Sequence, residues 1–174
     1  WRHLNELNKH HATTLKQDKA FLPEYIGFQD VFRCGLNIPN GNDTKRFKGY
    51  SLSDALKASA EEFFNGICRY IDVMEREKHE FDVLVIYIPN QLSKMRELKN
   101  ENVYFDLHDS LKIYCAGKGI VTQIIEERSV HTNSDMAKIM WGLSTAIYAK
   151  AVGKLWKPKM TRYDTAYIGL SYVQ

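Results

Sequence analysis

The spacing of hydrophobic and polar positions predicts helices and strands from residue 51 onward. Between residues 51 and 76 apolar residues recur at intervals of three and four, which predicts one long amphipathic helix capped by Ser51 or Ser53. The apolar positions of this helix are Leu56, Ala60, Phe63, Ile67, Tyr70, Ile71 and Met74. The run DVLVIYIP at 82–89 is almost continuously β-branched or aromatic, which is typical of a strand covered on both faces in a parallel sheet.

A helix-turn-strand unit and a last helix follow this strand. Asn133, Ser134 or Asp135 can cap the last helix, and Gly153 supplies its stop. The predicted elements are a polar connection at 90–104, a helix at 107–117, a turn at 117–119, a strand at 120–125 and the helix ending near 153. Strands that alternate with helices predict an α/β, Rossmann-like fold with a parallel sheet flanked by helices.

The chain divides into three segments by composition. Residues 1–50 are polar and interrupted by glycine and proline, so they are predicted to be a linker-like segment before the main domain at 51–158. Residues 159–174 contain the β-rich run TAYIGLSYV, which predicts the start of a further strand. A strand at the very end of a chain needs sheet partners, and the chain starts at Trp1, so we expect a piece of a larger protein.

Composition narrows the function classes only modestly. The chain has 174 residues, of which 44% are hydrophobic and 26% charged, and its net charge is +3, which excludes disorder and permits a polyanionic partner. No apolar run approaches the roughly 18 residues of a membrane span, and no signal peptide is present, so a cytoplasmic location without a membrane partner is expected. The three cysteines are expected to be reduced thiols.

Several motif-based functions are excluded. The sequence contains no GxGxxG, no GxxxxGK[ST] and no GxSxG, which argues against a dinucleotide fold of the usual kind, a P-loop and a nucleophile elbow. The histidines are scattered, and His108 has no cysteine or second histidine at ligand spacing. A zinc site built by this chain is therefore not expected.

Lys150 breaks the apolar pattern of the last helix. At about 100° per residue it falls roughly 20° from Ile139, within the apolar stripe. One interpretation is that its stem runs along the apolar surface while its charge reaches water, near the helix C-terminus, where the helix dipole stabilises a cation. The other is a buried ammonium, which would need a partner.

Three further polar residues accompany this lysine. His108 and Lys112 are four apart on the predicted helix at 107–117 and form either a solvated helix edge or an anion site. They lie beside the apolar stripe that the helical period predicts for this helix, formed by Leu107, Leu111 and Cys115. Gln123 interrupts the strand IVTQII, where it either serves a ligand or bonds to a neighbouring loop. Ligands of open α/β sheets usually bind at the carboxyl ends of the strands, so we expect these residues at that edge.

The stretches DLHDSLKIYCAGKGIVTQIIEE, GLSTAIYAKAVGKLWK and TAYIGLSYV resemble the MID domain of a prokaryotic Argonaute that runs into the first strand of its PIWI domain. The resemblance is strong over 82–174 and weak over 1–81. It implies that residues 51–158 form MID and that 159–174 begin a truncated PIWI domain. It also implies a partner, the 5′ end of a short single-stranded guide RNA or DNA, with a complementary target.

The resemblance assigns roles to individual residues. It implies that His108, Lys112, Gln123 and Lys150 bind the guide 5′ end, with a 5′-phosphate held by the lysines and the first base stacked on His108. Supporting candidates are Thr122, Tyr114 and Lys118. Tyr114 and Lys118 are also four apart and form a rival register to His108 and Lys112, but Lys118 lies closer to Gln123 than the corresponding lysine does in the family. Mg²⁺ bridging the phosphate is implied as a cofactor, although this chain alone supplies no metal site.

The resemblance also implies that the chain is not an enzyme. Slicing relatives carry a catalytic Asp in a context similar to IGxD on the first PIWI strand, and here the matching position is Ser171. A hydroxyl cannot replace a carboxylate ligand for magnesium, so the parent protein resembles the inactive branches, which often act through an associated effector protein.

Two other function classes remain open from the residues. One is a small-molecule enzyme of Rossmann-like fold in which His108 is a general base and Lys112 or Lys150 an electrophilic clamp. The other is a protein-interaction domain whose basic residues only keep it soluble.

Overall fold

The computed structural model describes residues 2–14, 23–40, 42, 51–100, 103–127 and 135–155. The helices are α1 (Arg2–Glu6), α2 (Phe28–Phe32), α3 (Leu52–Lys57), α4 (Ala60–Glu75), α5 (Leu107–Gly117) and α6 (Met136–Val152), with a 3-10 helix at Asn90–Met95. The strands are β1 (Leu84–Ile88), β2 (Glu97–Asn100), β3 (Val103–Asp106) and β4 (Thr122–Glu126).

Strands β1 and β4 form a parallel pair at the centre of the fold. Leu84 lies opposite Thr122, and Ile88 lies opposite Glu126. The chain between them passes through the 3-10 helix, the antiparallel pair of β2 and β3, and α5. The predicted α/β fold with a parallel sheet flanked by helices is confirmed at this level.

Helices cover both faces of the parallel pair because successive side chains of a strand point to opposite faces. Ile86 and Ile124 pack with α4 and α5 in one hydrophobic cluster. Val85 and Ile125 pack on the other face, in a cluster that contains α6. The stripe predicted for α5, formed by Leu107, Leu111 and Cys115, is 0% exposed.

The ends of α5 and α6 follow local signals. The side chain of Asp106 accepts a hydrogen bond from the backbone N–H of Asp109 (2.9 Å), and Asp135 caps α6 by accepting one from Ala137 (3.0 Å). Gly153 ends α6 with φ of 74°, a left-handed conformation that glycine adopts without strain. The predicted span of α5 and the predicted cap and stop of α6 are therefore confirmed.

The single long helix predicted from residue 51 is wrong. Helix α3 ends at Lys57, and Ala58 has an extended backbone. A capping box then starts α4: the Ser59 side chain accepts from the backbone N–H of Glu62, and the Glu62 carboxylate accepts from the backbone N–H of Ser59. The four letters SAEE carry this signal in the sequence. The side chain of Ser51, one of the predicted caps, makes no capping hydrogen bond and instead bonds Ser53.

The predicted polar connection at 90–104 contains secondary structure. The 3-10 helix follows Pro89, and β2 pairs with β3 so that Glu97 lies opposite Asp106. This pair leads straight into α5, and the backbone N–H of Leu107 donates to the carbonyl of Arg96 (2.8 Å). These strands of four residues lack the regular apolar alternation by which strands are usually found.

The described part of residues 1–50 packs against α6. Leu7 and Tyr25 are fully buried, and the Tyr25 hydroxyl donates to the carbonyl of Leu7 (2.7 Å). Trp141 of α6 donates from its indole N–H to the carbonyl of Pro23 (2.9 Å). The predicted strand at 159–174 lies outside the described residues, and none of the described helices combines the length and apolar character needed to cross a lipid bilayer.

Candidate anion site at the edge of strand β4

Lys150 lies in the last turn of α6, with its ammonium against β4. Its Nζ donates to the backbone carbonyl of Thr122 (2.6 Å) and to Oε1 of Gln123 (2.7 Å), and the side chain is partly buried. The lysine therefore does not extend freely into water, and it meets no carboxylate in the described part of the chain. Both of its partners are neutral oxygens.

The charge of Lys150 is incompletely compensated. Burial lowers the pKa of Lys150 below its ordinary value, and the positive charge of Lys112 lowers it further. Among the described residues, no carboxylate forms an ion pair with either lysine. Two cations from different helices, α5 and α6, thus act on each other without an anion between them.

Gln123 is fixed by the same edge of β4. Its Nε2 donates to the carbonyl of Ile124 (2.8 Å), while its Oε1 accepts from Lys150. The side chain of Thr122 points to the opposite face, where it is buried and hydrogen-bonds Cys115 of α5. Thr122 contributes its carbonyl oxygen to the site, and its hydroxyl belongs to the packing of α5.

The site lies at the opposite end of the sheet from the predicted edge. Thr122 and Gln123 are the first two residues of β4, so they lie at the amino end of the parallel pair. The reason is the return path of α6: a helix that follows a strand in an α/β unit runs back antiparallel to it, so its last turn, with Lys150, meets the strand's beginning. The expectation of the carboxyl edge was wrong.

His108 lies in the first turn of α5 and is paired with an acid. Its Nδ1 lies 3.1 Å from Oδ1 of Asp109, and its side chain is 32% exposed. Asp106, His108 and Asp109 bring their ligand atoms within 4.8 Å of one another. Two carboxylates at this helix end make it unfavourable for an anion, although Lys112, one turn further on, is exposed to solvent. The sequence interpretation missed Asp106 and Asp109. The pattern DLHD, an N-cap aspartate followed by an aspartate in the first helical turn, indicates both of them.

Tyr114 and Lys118, the rival register, belong to a separate network on α4. Lys118 Nζ lies 2.8 Å from Glu75 and 2.9 Å from Asp72, and the Tyr114 hydroxyl donates to Asp72 (2.6 Å). The carboxylates of Glu75 and Asp72 hold the pKa of Lys118 well above its ordinary value. Tyr114 lies about 200° around α5 from Lys112, so the two registers face different sides of the helix. The positive charge of Lys118 is already neutralised.

An open groove of about 720 Å³ lies elsewhere, along α3 and α4. None of the predicted site residues lines it. The lining residues are Asp54, Lys57, Ala58, Glu62, Asn65, Gly66, Arg69, Tyr70 and Val73. The groove therefore does not support His108 as the general base for a small substrate bound there.

Comparison with known proteins adds no family assignment. Neither the protein-family models nor the curated proteins provide a match to this chain.

Proposed function

We propose that this chain binds the 5′-terminal phosphate of a short single-stranded guide nucleic acid, as the MID part of a protein similar to the prokaryotic Argonautes. The observation that supports this most directly is the ammonium of Lys150, held at the edge of β4 by two neutral oxygens, with no carboxylate paired to it or to Lys112 among the described residues. A phosphate between them would replace their repulsion by attraction to both. Its charge of up to two matches the two ammonium groups.

The hydrogen-bonding capacity of Lys150 supports an anion at this place. An ammonium has three N–H donors, and Thr122 and Gln123 accept from two of them. One donor is left for a phosphate oxygen, in a partly buried setting where charge-assisted hydrogen bonds are strong. Lys112, which is exposed, would add a second and more screened contact.

His108 would meet the first base rather than the phosphate. It precedes Lys112 by one turn of α5, and its partner Asp109, together with Asp106, makes that end of the helix repel an anion. The ring offers a flat face on which any base stacks, a contact worth about 1–3 kcal/mol in single-strand binders. This division of labour would leave base identity weakly selected.

Magnesium enters the proposal only as a group shared with the phosphate. At the edge of β4 the described residues present two ammonium groups and the amide and carbonyl oxygens that Lys150 already occupies, which is a poor donor set for a hard cation. Magnesium would have to take its remaining ligands from the phosphate, from water or from groups beyond the described residues. A requirement for the metal is therefore not part of the proposed site.

The other expected properties follow from the same proposal. Ser171, at the position of the first catalytic Asp, lies outside the described residues, and we propose that the chain cleaves neither guide nor target. A complementary target strand and an associated effector protein would then carry the biological response, in a cytoplasmic setting. The enzyme alternative with His108 as general base gains no support from the groove of α3 and α4, whose lining does not include His108.

The test compares oligonucleotides that differ only in their 5′ end. A 3′-labelled oligonucleotide with a 5′-phosphate should bind the chain more tightly than the 5′-hydroxyl form in fluorescence anisotropy, for RNA or DNA. Lys150→Met should remove most of this difference. Lys57→Met removes the same charge from the surface of α3 and should retain it.

Equal affinity for both oligonucleotides in the wild-type chain would refute the phosphate site. A phosphate preference that Lys150→Met leaves intact would place the phosphate elsewhere.

A further inference from the structure

The amide of Gln123 connects one backbone carbonyl and one lysine at the edge of β4. Its Nε2 donates to the Ile124 carbonyl at 2.8 Å, and its Oε1 accepts from Lys150 at 2.7 Å. The same ammonium also donates to the Thr122 carbonyl at 2.6 Å. The amide cannot rotate by half a turn without placing its NH₂ group against the ammonium and its oxygen against a carbonyl, so its orientation is determined.

These carbonyls belong to the side of β4 that faces away from β1. The Leu84 N–H donates to the Val121 carbonyl (2.8 Å), so the backbone groups of Val121 and, two residues on, Gln123 point to β1. Those of Thr122 and Ile124 point the other way, where β4 has no strand partner among the described residues. Lys150 and Gln123 therefore cap two successive carbonyls of an unpaired edge, groups that otherwise invite a further strand.

We infer that Gln123 is a positioning residue, which holds the Lys150 ammonium at the edge of β4 with one N–H left for an anion and does not itself contact that anion. The inference rests on the proposed function for the identity of the anion, a terminal phosphate. It differs from the direct phosphate contact that the family resemblance implies for Gln123. One N–H of the amide donates to the Ile124 carbonyl, and the amide oxygen, which accepts from Lys150, would repel a phosphate.

The choice of side chain at position 123 has a chemical reason. A glutamate has nearly the same shape, but its carboxylate would form an ion pair with Lys150 and neutralise the charge that an anion needs. An apolar residue would leave Lys150 with one acceptor and the Ile124 carbonyl without its cap. Glutamine is long enough to reach both partners and holds the cation without cancelling it.

The first measurement needs no ligand. The side-chain NMR signals of Lys150, assigned by their loss in Lys150→Met, are followed against pH in the full chain. Gln123→Glu should raise the pKa of Lys150, and Gln123→Met should speed hydrogen exchange of its ammonium. Gln91→Met, an exposed glutamine of the 3-10 helix, should change neither. Unchanged Lys150 signals in both Gln123 variants would overturn the inference.

The second measurement is a double-mutant cycle with the 5′-phosphorylated oligonucleotide. Gln123→Met should weaken binding roughly 2- to 10-fold, the effect of one hydrogen bond, when Lys150 is present. It should have no further effect in the Lys150→Met background, because a positioning residue acts only through the lysine. An equal loss in both backgrounds would show direct contact with the phosphate and overturn the inference.

The two measurements separate failure of the inference from failure of the proposed function. If no variant distinguishes the 5′-phosphate from the 5′-hydroxyl, the proposed function fails, and the anion-directed part of the inference fails with it. The NMR titration then still decides whether Gln123 holds Lys150. If phosphate preference is present but the Lys150 signals ignore Gln123, only the inference fails.

Discussion

Replacing Lys150 by methionine tests the charge at the edge of β4 while most of the apolar stem is retained. In the structure the ammonium is partly buried and has one N–H to spare, so it would form a charge-assisted hydrogen bond to a phosphate. Such a bond is worth about 1.5–3 kcal/mol, which corresponds to roughly 10- to 150-fold weaker binding in the variant. Lys112, being exposed, should contribute about 1 kcal/mol, or roughly fivefold.

The salt dependence of binding provides an independent measure of the same contacts. For single strands the slope of log affinity against log salt changes by about 0.7 for each phosphate charge that a lysine neutralises. Fluorescence anisotropy with the 5′-phosphorylated oligonucleotide over a series of salt concentrations should therefore show a shallower slope for Lys150→Met and for Lys112→Met. Lys57→Met controls for the general loss of one positive charge from a surface remote in sequence from the site.

Two results would refute this reasoning. If Lys57→Met weakens binding as much as Lys150→Met, the chain attracts nucleic acid by its net charge and not by a site. If Lys150→Met weakens binding without a change in slope, the lysine acts through the packing of α6 and not through its charge.

Three further predictions concern Lys112, the buried stripe of α5 and the capping box of α4. Lys112→Met should raise the pKa of Lys150 in an NMR titration, yet leave it below 10.5, because burial remains the larger cause of the lowered pKa. Since the pKa of Lys150 is lower in the folded than in the unfolded chain, its contribution to stability increases as the pH rises through the folded value towards 10.5. Leu111→Ala should lower the free energy of unfolding by about 2–5 kcal/mol in urea denaturation, since Leu111 is 0% exposed. Ser59→Ala should cost about 0.5–2 kcal/mol at neutral pH. The backbone and side-chain hydrogen bonds of Ser59 lower the pKa of Glu62, and only the side-chain hydrogen bond is lost in the alanine variant. The part of the cost that comes from this side-chain hydrogen bond is present above pH 4.5 and should be lost as the pH falls through the folded value, so the cost should be smaller in acid. A cost of Ser59→Ala that stays constant from neutral pH to acid would contradict the hydrogen bond between the Ser59 side chain and the Glu62 carboxylate.

Helix α5 shows what the hydrophobic pattern of the sequence was able to predict. Its stripe of Leu107, Leu111 and Cys115 was predicted from the helical period and is fully buried, and its ends at 107 and 117 match. Local signals were sufficient because the period, the cap and the following glycines all agree. The same holds for α6, where Asp135 and Gly153 act at the predicted positions.

The break between α3 and α4 shows where the same reasoning fails. The apolar spacing continues across Ala58 and Ser59, so periodicity alone reads one helix through a point where a capping box starts a second one. The antiparallel pair of β2 and β3 was missed for a different reason: each strand has only four residues and no regular apolar alternation, and their strand state depends on pairing with each other.

The candidate site, too, was determined partly by the sequence and partly by the tertiary structure. The sequence by itself determined which residues carry unusual chemistry: a lysine on an apolar stripe, a glutamine inside an apolar strand, and a histidine and a lysine one helical turn apart. Only the tertiary structure decided that Lys150 meets Gln123 and the Thr122 carbonyl, that the charge of Lys112 lowers the pKa of Lys150, and that Lys118 is neutralised by α4. The physical reason is that a helical or strand period depends on neighbours within a few residues, whereas the partners of Lys150 lie 27 and 28 residues away and meet it only through the antiparallel return of α6 along β4.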